Sequence, residues 1–148
     1  MKINPENGSI ILPDGNIIGA HTTLDDWIAS FPKSRPSHLH AGITFFSLSF
    51  TKQSEQYTLT ARFEQQRLER LSIFFCPIGE DNSWAAWSEE RELQRRKQFD
   101  RWLDKQLGDS PCSIKASSSG KCRQFAWGNA GAYYHNKDGS TMIVISYR

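Results

Sequence analysis

Tyr57-Thr58-Leu59-Thr60-Ala61-Arg62-Phe63 alternates apolar and polar residues without a break. Successive side chains of a strand point to opposite faces. This period of two therefore puts Tyr57, Leu59, Ala61 and Phe63 on a buried face and Thr58, Thr60 and Arg62 on the other. The flanking segments repeat the signal, with Ile43, Phe45, Leu48 and Phe50 before it and Leu71, Ile73 and Phe75 after it. The connections, Thr51 to Glu55 and Glu64 to Glu69, are short and polar, so an antiparallel meander is the economical arrangement. Phe45, Phe63 and Phe75 are its expected core aromatics. The strand pattern opens at His40, and Lys33 to Ser37 reads as loop.

Upstream, Ile10-Ile11-Leu12 and Ile17-Ile18 flank Pro13-Asp14-Gly15-Asn16, where Pro presets φ and Gly permits positive φ, the chemistry of a hairpin turn. Thr22 and Thr23 then supply an N-cap, and Asp25 and Asp26 sit in the first turn of a short helix that ends before Phe31-Pro32. Downstream, Gly79 to Ser83 breaks the strand pattern and opens a long helix from about Trp84 to Leu107, free of internal Gly and Pro and stopped by Gly108. At about 100° per residue, Trp84, Ala85, Phe99, Trp102, Leu103 and Leu107 share one arc. Ser88, Glu92, Arg95 and Arg96 fill its middle, with Glu92 and Arg96 spaced to pair. The helix thus lies across the sheet on apolar ends, with a polar centre. A Ser-rich loop (Ser117 to Gly120) follows. Gln124 to Trp127 then leads through Gly128-Asn129-Ala130-Gly131 to Ala132-Tyr133-Tyr134-His135, and a turn at Asn136 to Gly139 precedes a last strand, Thr141 to Tyr147. The order β-β-α-β-β-β-α-β-β-β describes a single α+β domain over residues 1–148, an antiparallel sheet with one short and one long helix packed on it.

The 148 residues fit one domain, which buries roughly two-thirds of its unfolded surface and folds without disulfides or metal. A net charge of +2 excludes an acidic nucleic-acid mimic. No apolar run reaches the length of a secretory signal core near Met1 or of a membrane span elsewhere, so the expected setting is the cytoplasm. Cys76, at the end of an apolar run, reads as an inert buried thiol. Cys112 and Cys122 flank the Ser-rich loop, and their pairing across it stays open.

Tests for chemistry come out weak. His38-x-His40 puts two rings on one face of a strand but lacks a spaced third ligand, so no metal site is assigned. No Ser sits in G-x-S-x-G, and Ser119-Gly120-Lys121 lacks the rest of a phosphate loop, so no nucleophile and no cofactor is assigned. Glu89, Glu90 and Glu92 open the long helix, where its dipole and nearby arginines favour ionised, solvated carboxylates. Arg91, Arg95, Arg96, Lys97, Arg101 and Lys105 make that helix basic, which offers the alternative of a nucleic-acid or regulatory binding module. The interleaved Glu89, Glu90, Glu92, Asp100 and Asp104 nearly cancel that charge and argue against nucleic acid. Protein recognition remains. Aromatics make up 12% of the chain. The core pattern does not require Trp87, Trp127 or one of Tyr133 and Tyr134. With Arg91 and Arg95 they are the residue types enriched at interface centres.

The C-terminal part also carries a resemblance. Ser83-Trp84-Ala85-Ala86-Trp87-Ser88-Glu89-Glu90-Arg91-Glu92, Asp100-Arg101-Trp102-Leu103, Phe125-Ala126-Trp127-Gly128, Tyr134-His135-Asn136-Lys137-Asp138-Gly139-Ser140 and Ile143-Val144-Ile145-Ser146-Tyr147 together resemble small bacterial proteins encoded beside polymorphic toxins, of the contact-dependent inhibition and Rhs kinds. The first hairpin, Ile10 to Trp27, is loosely similar. In such relatives the turn reads Tyr-Asp-x-Lys, whereas His135 stands here. The resemblance implies an immunity protein: not an enzyme, but a binder of one cognate cytosol-acting toxin domain.

Overall fold

The computed structural model describes residues 1–109 and 112–148, with the backbone alone for residues 37–39. An eight-stranded antiparallel sheet forms its centre, in the order β4-β5-β6-β7-β11-β10-β9-β8. The meander supplies β5 (Ile43–Lys52), β6 (Glu55–Glu64) and β7 (Arg67–Pro77), joined by two-residue turns. The residues after the long helix supply β8 (Ser113–Ser117), β9 (Gly120–Phe125), β10 (Gly128–His135) and β11 (Ser140–Tyr147). Strand β11 crosses back to pair with β7, Ile143 opposite Ile73 and Ile145 opposite Leu71, and so welds the two halves into one sheet. A smaller three-stranded sheet holds β1 (Lys2–Ile3) and the expected hairpin, β2 (Ile10–Ile11) and β3 (Ile17–Ile18).

The two helices lie on one face of the large sheet, the α+β arrangement that the periodicities imply. Helix α1 (Leu24–Ser30) has a complete capping box: Thr23 accepts from the Asp26 amide, and the Asp26 carboxylate accepts from the Thr23 amide. It carries Trp27, fully buried, into a cage of Phe31, Phe46 and Phe63 at centroid distances of 4.7, 6.2 and 5.9 Å. Helix α2 (Glu89–Leu107) buries Phe99, Leu103 and Leu107 against β10 and β11. The core is thus made by Leu59, Ala61, Phe63, Leu71, Ile73, Ala130, Ala132, Ile143 and Ile145, all fully buried. Ser47, Ser49, Thr58 and Arg70, on the other face, are exposed.

Several boundaries differ from the sequence reading. The long helix begins at Glu89, not Trp84. Trp84–Ala86 form a separate 3₁₀ turn, Trp87 is extended, and Ser88 caps α2 by accepting from the Arg91 amide. Ser88 followed by two glutamates is itself an N-cap signature, and it outcompetes the earlier start. Strand β4 (Pro36–His40) occupies part of the expected loop. Its Pro36 costs the sheet no hydrogen bond because β4 is an edge strand. The Ser-rich loop is a tight turn, Ser118-Ser119, between β8 and β9. Gly128 to Gly131 is no connection but the start of β10: its glycines let neighbouring backbone and the Tyr133 ring approach within 2.0–2.5 Å of where a Cβ would stand. Phe46 is buried in place of Phe45, which is half-buried on the opposite face.

Candidate recognition site

Helix α2 starts where β7 ends and where the β10–β11 turn comes down, so three segments meet: Glu80 to Trp87, the first two turns of α2, and residues 138–142. Arg91 is the centre of a polar network. It donates to the Ala86 carbonyl (3.0 Å) and to Asn82 Oδ1 (3.1 Å), and it pairs with Glu80 (3.2 Å). Arg95, only 7% exposed, pairs with Glu80 (3.1 Å) and Glu92 (3.6 Å) and lies over the Phe74 ring at 4.7 Å. Asn82 also reaches the buried thiol of Cys76, which accepts from its Nδ2 and from Gln56 Nε2. Thr141 closes the set by donating to the Glu92 carbonyl (3.0 Å). The polar middle of the helix is thus real, with Glu92 and Arg95 buried and Arg96 Nε left without a hydrogen-bond partner among the described residues, and it is paired differently than expected. Glu92 is buried, not solvated, and pairs with Arg95, while Arg96 donates to the Ser118 carbonyl.

On this network stand two indoles. Trp87 donates its N–H to the Gly139 carbonyl (2.8 Å), which fixes the ring against the β10–β11 turn. Gly139 has φ +68°, and a Cβ there would stand 2.9 Å from Trp87 Nε1, so the close approach requires glycine. Trp84, 75% exposed, sits 6.0 Å from Trp87 at 50°, so the rings splay apart. They open onto a cavity of about 280 Å³ lined also by Phe74, Asn82, Arg91, Glu92, Asp138 and Met142. Asp138 accepts from the Ser140 hydroxyl (2.7 Å) and amide (3.0 Å), and these bonds hold its carboxyl below the usual range. Tyr134 points to the same side, because it pairs with Thr141. Burial and the charges of Glu89, Glu92 and Asp138 raise its hydroxyl pKa.

Of the six residues marked in the sequence, the fold thus gathers Trp87, Arg91, Arg95 and Tyr134. Tyr133 alternates to the sheet's other face, where its hydroxyl meets Cys122 and burial raises its pKa. Trp127 lies at the far end of the sheet: it donates to the Pro5 carbonyl (2.9 Å) and stacks on Phe125 at 4.8 Å. Trp84, Glu80 and Asp138 were not marked. The Ser88-Glu89-Glu90 cap signature, which starts the helix after Trp84, is the signal in the sequence that takes Trp84 off the core arc.

Other constellations stay simple. Cys112 and Cys122 are free thiols; β9 sets Cys122 opposite Lys115, away from Cys112. Among the described residues no group of three His, Cys, Asp or Glu could hold a metal, and the His38 side chain lies outside them. No described helix is long and apolar enough to cross a membrane.

No protein-family model and no curated protein matches this sequence. Among solved structures, a chain of the complex of Rhs1-CT with its cognate immunity protein RhsI1 is similar, with a TM-score of 0.56 over 100% of this chain and 87% of that one at 17% identity. At that identity the likeness is one of fold.

Proposed function

We propose that this chain is a non-enzymatic immunity protein of the Rhs or contact-dependent-inhibition kind, which binds one cognate toxin domain in the cytoplasm and neutralises it. The observation that carries the reading is the likeness in fold, over the whole chain, to a component of a complex between an Rhs toxin C-terminal region and its immunity protein. The local chemistry agrees. The exposed Trp84 and Trp87 line one cavity above the Arg91 and Arg95 network, and aromatic anchors of this kind dominate protein–protein binding energy. A stable complex needs about 1,600 Å² of buried surface, so this patch acts as the centre of a larger contact.

The test is co-expression with the toxin domain encoded beside the gene. Restored growth and a co-purifying complex are expected. Growth arrest with no complex overturns the proposal.

A further inference from the structure

The residues around the two splayed indoles select a particular kind of guest. From Glu80 to Arg95 and from His135 to Thr141 the chain holds six carboxylates against three Arg or Lys, on a protein whose net charge is +2. The cations facing the cavity are already engaged: Arg91 and Arg95 both pair with Glu80, and Arg95 also with Glu92. Among the described residues no Arg or Lys is within ion-pair distance of Asp138; its carboxylate accepts from Ser140, and His135 acts on it through charge as the weaker influence. An acidic guest would find both arginines spoken for and a carboxylate at the rim. A cationic one would find Asp138 and two electron-rich indole faces. Trp87 is held by its edge through the bond to Gly139, so its face stays available for stacking. A cavity of about 280 Å³ is ample for one side chain but small for a drug-sized ligand. The larger groove at the opposite end, about 850 Å³, has no such imbalance: Asp26 and Arg148 both line it.

We propose that the Trp84–Trp87 cavity receives one basic side chain, a guanidinium, from the protein partner, stacked on the exposed indole faces that line the cavity and paired with Asp138. The partner's identity as a toxin rests on the immunity reading; the choice of a cation rests on these residues alone.

Two measurements keep the readings apart. The indole N–H resonances of Trp84 and Trp87 are followed by NMR during titration with acetyl-Gly-Arg-Gly-amide and with its citrulline counterpart, an uncharged isostere. Saturable shifts with the arginine peptide only are expected, and they should disappear in Asp138→Asn, which keeps the bonds to Ser140 but removes the charge. Indistinguishable responses to the two peptides overturn the proposal. In parallel, the Kd for the adjacent toxin domain is measured for the wild type, Trp84→Ala and Asp138→Asn. Each variant should weaken binding at least tenfold, and Asp138→Asn should also flatten its salt dependence. Unchanged Kd values overturn the cavity proposal and leave the immunity reading standing. A toxin that does not bind wild type overturns the immunity reading, and the peptide titration then decides the cavity by itself.

Discussion

Strand β11 runs about 24 Å, at about 3.4 Å per residue, between two pairs of tryptophans that serve opposite ends. Near Tyr147, Trp27 is fully buried among three phenylalanines. Trp127 is half-buried, stacked on Phe125 and hydrogen-bonded to the Pro5 carbonyl. Near Ser140, Trp84 and Trp87 stand 75% and 39% exposed over a saturated network of charges. At one end the apolar area of the indoles is removed from water and holds the N-terminal segments to the sheet. At the other it is left in water, a cost in a folded monomer that a bound partner would relieve. The same residue type stabilises or recognises according to what the backbone lets it reach.

If the buried end carries stability, its truncation gives the largest effect in the molecule. Trp27→Ala is expected to cost about 3–5 kcal/mol in urea unfolding, because a closed aromatic cage loses its central ring and the cavity collapses only in part. A loss below about 1 kcal/mol would erase the contrast between the ends. Next comes Arg123, 2% exposed, which ties β9 to α2 through Asp100 (3.1 Å) and Asp104 (2.7 Å). Burial disfavours its charge, but the two carboxylates more than compensate and hold its proton more tightly than usual. Arg123→Ala leaves Asp100 poorly solvated. A loss of about 2–3 kcal/mol is expected, below a fully buried pair because Asp104 is half in water.

How much of this was legible beforehand follows the range of the forces involved. The meander, the hairpin, α1 and the Gly108 stop rest on period-two patterns, caps and turns, all local in sequence, and all appear in the structure. The errors lie where a choice depended on distant partners. Phe46 rather than Phe45 faces the core because Trp27 meets it there. Gly128 to Gly131 is strand because β11 pairs with it. The recognition patch was legible as residue types, Trp87, Arg91, Arg95 and Tyr134. Its charge balance was not, because Glu80 reaches Arg91 and Arg95 only after β7 has been set beside α2. Trp84 was lost to a helix wheel begun one cap too early.

Alkaline pH probes the sheet between the ends. Burial first, then the bond to Glu55 and its charge, push the Tyr57 phenol up to about 12 from about 10. The folded state therefore keeps a proton that the unfolded chain gives up. The contribution is full below pH about 10 and is lost as pH rises toward about 12. Burial raises the Tyr147 phenol in the same sense. Stability measured by urea unfolding should fall across this window, and less steeply in Tyr57→Phe. Equal slopes in the two proteins would show that Tyr57 does not couple the sheet to pH.

The sharpest form of the comparison is the smallest effect. Among the described residues Trp84 makes its ring contact with Trp87 alone, and three-quarters of its surface is already in water, so truncation opens no cavity. Trp84→Ala should change unfolding free energy by less than about 0.5 kcal/mol, as surface substitutions do. Trp87→Ala removes the bond to Gly139 and the packing over it, and should cost about 1–2 kcal/mol. If Trp84→Ala destabilised the chain as much as Trp87→Ala, Trp84 would be a fold anchor and the open end would resemble the buried one. If it leaves stability untouched, folding gives no account of an indole held 75% exposed, and its place in the molecule is explained by what it meets outside the chain.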